Sequence, residues 1–148
     1  MIDQVTKLMA IHGLMNQQPF VIWDGVFELH YLENRGAAFG ILQGKKIFFV
    51  FFTLIVLCLI AYLYLKRIPD EKKIRLMDGI CILFFAGALG NFIDRVFRNY
   101  VVDFFYFKLI DFPVFNVADI YVTVAAFAMI ILGLFYYKEE DYNKIFHD

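Results

Sequence analysis

The 148-residue sequence contains no serine, which excludes a Ser-His-Asp nucleophile. Cysteine is nearly as scarce. Cys58 and Cys81 each lie inside an apolar run and read as small buried hydrophobes rather than as a disulfide or a metal site. His12, His30 and His147 are scattered along the chain, and neither HExxH nor CxxC occurs, so no metal is expected. Net charge is also lacking: the formal value is −1, and the overall field points neither to nucleic acid nor to an acidic partner.

What the sequence has is hydrophobicity: 61% of residues are apolar and 20% aromatic, well above an ordinary soluble domain. Three runs stand out, Ile47 to Leu65, Leu76 to Ile93 and Ile120 to Tyr137. Each of about 18 to 19 residues spans most of a ~30 Å hydrocarbon core at ~1.5 Å per residue. Three such runs leave too little polar surface to cover them in water, so residues 1–148 read as one integral membrane domain. The loop KRIPDEKKIR, with Lys66, Arg67, Lys72, Lys73 and Arg75, is expected on the cytoplasmic side. The segment before the first run and the one from Arg98 to Asp119 then lie outside. The tail KEEDYNKIFHD returns to the cytoplasm as a solvated end. MIDQVTKLMAIHG is too short and too polar to span.

The outer segments carry strand signals. GVFELHYLE alternates apolar and polar from Val26 to Leu32, and YVVDFFYF around Asp103 is rich in β-branched and aromatic residues. The expected fold is an all-α transmembrane bundle of three full spans with a small extracytoplasmic β-element resting on the membrane face. Trp23 and its aromatic neighbours suit that interface.

Polar groups at membrane depth are costly, ~2.5–3.5 kcal/mol for a carboxylate at the bilayer centre. Here they gather at the outer ends of the spans. GALGNFIDR places Asn91, Asp94 and Arg95 at i, i+3 and i+4 on one helical face, and Gly87 and Gly90 would let a neighbouring helix approach. Asp94 and Arg95 could equally form an ion-paired helix end. Asp103 and Asp119 share a membrane face, each in apolar company, which raises a carboxyl pKa. Two such carboxyls could act together as base and acid, yet Asp119 could also be an ordinary helix cap. Asn34, in ENRGAAFGIL, is either a turn residue or an amide that binds a substrate backbone. A small transporter or assembly factor using the same polar cluster is the competing class, but no internal repeat or mid-membrane helix break is evident.

Five stretches, in order, resemble the lipoprotein signal peptidases (signal peptidase II): IDQVTK at Ile2–Lys7, ENRGAAFGIL at Glu33–Leu42, GALGNFIDRV at Gly87–Val96, VVDFF at Val101–Phe105 and FPVFNVADIYVTV at Phe112–Val124. The resemblance implies an aspartyl endopeptidase of the bacterial cytoplasmic membrane, with its active site at the extracytoplasmic face. It implies removal of signal peptides from prolipoproteins by cleavage before a diacylglyceryl-bearing cysteine, with Asp103 and Asp119 as the catalytic dyad. Asp3, Asn34, Asn91, Arg95 and Asn116 fall on the family's supporting positions. Of these, Asn34 and Arg95 are expected to hold the substrate backbone, and Asp3 to stabilise an outer helix end. No cofactor is implied, and globomycin is the expected inhibitor. The family has four spans; this chain starts at the first motif, so a late-annotated start is expected. Ala125 stands where many members carry glycine.

Overall fold

The structure is a computed structural model that describes residues 2–36, 45–66, 68 and 74–146. Ala37 to Leu42 of the second motif, and Arg67, Lys72 and Lys73 of the basic loop, lie outside the described residues.

Three helices are long and apolar enough to cross a membrane: α2 (Lys46–Lys66), α3 (Arg75–Phe97) and α4 (Val117–Phe135). At ~1.5 Å per residue they are about 28 to 35 Å long, the thickness of a hydrocarbon core. Their apolar residues face outward. Leu57 is the sole buried residue of α2, while Ile47 is 72% exposed and Phe135 83%. In water such surfaces would be an aggregation liability; against lipid they are solvated.

Between α3 and α4 the glycines set the spacing. A Cβ at Gly87 would lie 2.5 Å from the Ala118 carbonyl oxygen and 2.7 Å from Val122 Cγ2, and one at Gly90 would strike the Asp3 carboxylate. Both residues therefore admit their neighbours to contact, as expected for small residues at a helix crossing.

A short helix, α1 (Ile2–Leu14), precedes the strands β1 (Phe20–Trp23), β2 (Phe27–Asn34) and β3 (Val101–Tyr106). These form one antiparallel sheet in the order β1-β2-β3. Ala10, Val102 and Phe104 make its core with α1, joined by Ile11, Leu14, Leu29 and Tyr31. The β-element is thus present and is one strand larger than the pattern indicated. β1, FVIW, has no period-2 alternation because all four of its residues are exposed. Asn99, at φ 70°, turns the chain from the end of α3 into β3.

The C-terminal tail differs from the solvated end expected. The third span stops at Phe135, and a further helix, α5 (Glu139–Phe146), follows it. Asp141 accepts from the Lys138 backbone N–H at 2.8 Å, and the Tyr142 hydroxyl donates to the Gly133 carbonyl at 2.9 Å. Tyr137, Asp141 and Ile145 are buried. The charges of KEEDYNK masked an amphipathic period, since Tyr137, Asp141 and Ile145 recur at i, i+4 and i+8.

Candidate active site

Three local features bring the polar residues together. Along β3 the side chains alternate, so Val102 and Phe104 enter the core while Val101 and Asp103 take the other face. On β2, Asn34 stands opposite Val101, diagonal to Asp103 on that same face, and its Nδ2 donates to Asp103 Oδ2 at 2.9 Å. The chain then returns antiparallel along β3. Phe115 exchanges backbone hydrogen bonds with Phe105 at 2.8 and 3.0 Å, and that register carries the next residue, Asn116, alongside Asp103.

Asn116 is the N-cap of α4. Its Oδ1 accepts from the Asp119 N–H at 3.0 Å, and Asp119 Oδ2 accepts from the Asn116 N–H at 3.1 Å, a reciprocal capping box. The open reading of Asp119 as a helix cap is therefore correct as far as Oδ2 goes. Its Oδ1 has a different partner, Nδ2 of Asn91 on α3, at 2.8 Å. Asn116 Nδ2 reaches Asp103 Oδ1 at 2.6 Å and Asn91 Oδ1 at 3.1 Å. The two carboxyls are thus joined through two amides: Asp103 to Asn116, Asn116 to Asn91, and Asn91 to Asp119.

Asp103 is 2% exposed. Burial, and then the Asp119 carboxylate, push its pKa up to about 7, against the donors of Asn34 and Asn116 that favour the ionised form. It therefore holds a proton at a pH where an ordinary aspartate has lost it.

Behind this pair lies a second polar cluster. Lys7 Nζ is 3.0 Å from both Asp3 Oδ2 and Asp94 Oδ2, with all three side chains fully buried. Asp94 also pairs with Arg98, accepts from the Val102 N–H at 3.1 Å and accepts from Gln4. Two cations and two anions balance, which is how buried charge is tolerated. Asp94 thus takes the ion-pair role left open for it. Asp3 accepts from the Ala118 N–H at 2.9 Å in the first turn of α4, so it stabilises a helix end, that of α4. Lys7, Gln4 and Arg98 were not singled out from the sequence. The spacing of Lys7 from Asp3, i to i+4 within a motif, was the available signal.

Asn34, Asn91, Arg95, Asp103 and Asp119 line one cleft of about 620 Å³. Glu33 and Arg35 also line it, and the rest of its wall is mostly apolar: Leu32 and Val101 from the sheet, Phe112 and Phe115 from the return segment, and Ile120 and Val124 beside Thr123 along α4. Arg95 lies over the Phe49 ring, 4.9 Å from its centroid, and donates to the Gly36 carbonyl at 3.3 Å. Asn34 is committed to Asp103 and to the Gly36 N–H, so its amide acts first on the carboxyl. Among the described residues, no three His, Cys, Asp or Glu side chains gather as a metal site.

Comparison with known proteins gives a consistent result. The sequence profile of signal peptidase (SPase) II matches residues 1–135. A lipoprotein signal peptidase of Clostridium novyi is 40% identical over 141 residues, 93% of this chain and 91% of that protein. One of Caldanaerobacter subterraneus subsp. tengcongensis is 44% identical over 133 residues, 89% of this chain and 86% of that protein. A bacterial membrane enzyme solved by the in meso method at 1.9 Å resolution superposes with a TM-score of 0.80 at 37% identity, covering 92% of this chain and 87% of that one. With three apolar helices of spanning length and these relatives, this is a multi-pass membrane protein, and the chain belongs to the signal peptidase II family.

Proposed function

We propose that the chain is an aspartyl endopeptidase of the bacterial cytoplasmic membrane. It removes the signal peptide from diacylglyceryl-modified prolipoproteins, cutting just before the lipidated cysteine. The observation that carries this reading is the pair of carboxyls, Asp103 and Asp119, lining one cleft and linked by the amides of Asn116 and Asn91.

The reaction needs one proton shared by the pair. The ionised carboxyl takes a proton from water as that water attacks the scissile carbonyl, while the protonated one donates to the carbonyl oxygen. The resulting tetrahedral diol collapses as the carboxyl that gained the water proton donates it to the amide nitrogen. The other carboxyl, now ionised, takes a proton from a diol hydroxyl, so that the C–N bond breaks, the amine leaves and the pair again holds one proton. Asn34, Asn91 and Asn116 hold the carboxyls by N–H donation. Arg95, held against Phe49 and Gly36, binds substrate carbonyl oxygens in this reading.

The cleft continues down α4 past Ile120, Thr123 and Val124, residues on one helical flank of a spanning helix. An acyl-bearing substrate in the bilayer would enter along that flank, at the extracytoplasmic face. Globomycin is expected to occupy the same cleft.

The test is cleavage by the full chain in detergent, with one prolipoprotein supplied both diacylglyceryl-modified and unmodified. Cleavage of the modified form alone, before the cysteine and blocked by globomycin, is expected. Failure to cut either form, or indifference to the lipid, contradicts the reading.

A further inference from the structure

The reaction described above makes no direct use of Lys7, although its ammonium is fully buried beside the pair. An ammonium has three protons, and three acceptors lie in reach: Asp3 Oδ2 and Asp94 Oδ2 at 3.0 Å, and Asn91 Oδ1 at 2.8 Å. The first holds Lys7 to its own helix, α1, and the second ties α1 to α3. The third is not needed for that tie, and it bears on the site.

Asn91 is an amide with two chemically different ends. With Oδ1 turned to Lys7, its NH2 faces Asp119 Oδ1 at 2.8 Å. The flipped amide would oppose its NH2 to an ammonium and its oxygen to a carboxylate, losing both contacts. Asn91 Oδ1 also accepts from Asn116, the residue that donates to Asp103. One buried cation therefore stands behind the amide that serves both carboxyls.

We propose that Lys7 is a positioning residue of the reaction: it fixes the Asn91 amide with its donor toward Asp119, and it places a positive charge one amide away from the Asp103–Asp119 pair. This rests on the dyad reading above. Other charges face the same region: Asp3 on α1, Asp94 and Arg95 on α3 with Arg98 at its C-cap, and Glu33 on β2, paired at 3.0 Å with Arg35 just beyond that strand. The Lys7 charge also favours the ionised form of Asp103, against the effect of burial.

The consequence has a sign. Removing the cation makes protonation of the pair easier, so the pH window in which it holds one proton moves upward. Removing Asp94, an anion on the same ammonium, moves the window downward. A purely structural tie would lower the rate without moving the window.

The test is the pH–rate profile of prolipoprotein cleavage, from about pH 5 to about pH 9, for the full chain in detergent. Wild type is compared with Lys7→Met, Lys7→Arg and Asp94→Asn. Lys7→Met is expected to shift both limbs upward by about one pH unit. Lys7→Arg keeps the wild-type limbs at a lower rate, and Asp94→Asn shifts them down. Asp94→Asn preserves shape, and its amide oxygen can still accept from Val102, so it decides the matter if Lys7→Met fails to fold. An active Lys7→Met or Asp94→Asn protein with wild-type limbs overturns the proposal and leaves the dyad reading intact. A wild-type protein that cuts at no pH overturns the dyad reading itself, and this proposal with it.

Discussion

The two ends of the bundle are held together by different means. At the sheet end, Asp3, Lys7, Asp94, Asp103 and Asn116 are each at most 2% exposed and are joined by hydrogen bonds and ion pairs. At the opposite end, the described buried residues include Ile74, Tyr137, Asp141 and Ile145; there the Tyr142 hydroxyl donates to the Gly133 carbonyl and Asp141 accepts from the Lys138 N–H. Burying polar groups is costly unless every one is satisfied. Among the described residues the opposite end buries one carboxylate, Asp141, where the sheet end buries Asp3, Asp94 and Asp103 together. The excess of buried polar chemistry at the sheet end is therefore better explained by what the site must do than by what the fold needs.

That contrast can be broken or sharpened by substitution. The largest effect short of the carboxyls themselves is expected at Asn116, which caps α4 and donates to Asp103. Asn116→Ala should lower cleavage by about 100-fold and cost ~1–2 kcal/mol of stability from the lost cap. A variant that loses the stability but keeps the rate would show that the amide only caps.

Next comes Gly87, where an added methyl meets the Ala118 carbonyl. Gly87→Ala should destabilise by ~1–3 kcal/mol and lower activity as α4, which carries Asp119, is pushed aside. Thermal unfolding and the cleavage assay check it together.

The pH dependence of stability follows from Asp103. Its pKa in the folded chain, about 7, exceeds the ordinary value of 3.8. Between about pH 4 and about pH 7 the unfolded chain has released a proton that the folded chain keeps, so stability falls as pH rises across that window. Asp103→Asn removes this slope. The variant's unfolding midpoint, relative to wild type, should therefore rise steadily from about pH 5 to about pH 7; a constant difference would contradict the assignment.

The smallest effect belongs to the opposite end. Tyr142→Phe removes the bond to Gly133 and should cost ~0.5–1.5 kcal/mol with no change in cleavage rate. A loss of activity there would erase the contrast between the ends.

Much of this architecture was legible in the sequence. The spans follow from the length of the apolar runs, and the close approach of α3 and α4 from Gly87 and Gly90. The β-element followed where a strand had one buried face. It was missed at β1, whose exposed FVIW has no alternation. The seven expected site residues do gather at the sheet end, but their partners could not be read from spacing. The register of Phe115 on Phe105, which delivers Asn116 to Asp103, is a tertiary fact. The pairing of Lys7 with Asp94 joins residues 87 positions apart, and single-sequence periodicity carries no information at that range. In the tail, charge outweighs the four-residue spacing of Tyr137, Asp141 and Ile145, which only packing reveals.

The central claim is that Asp103 and Asp119 together activate water. Its most direct measurement is the single-turnover rate of cleavage of the diacylglyceryl-modified prolipoprotein by wild type, Asp103→Asn and Asp119→Asn, each checked for folding by circular dichroism and globomycin binding. The account predicts that both folded variants lose at least about 1,000-fold in rate. Either variant cutting within about tenfold of wild type would contradict it.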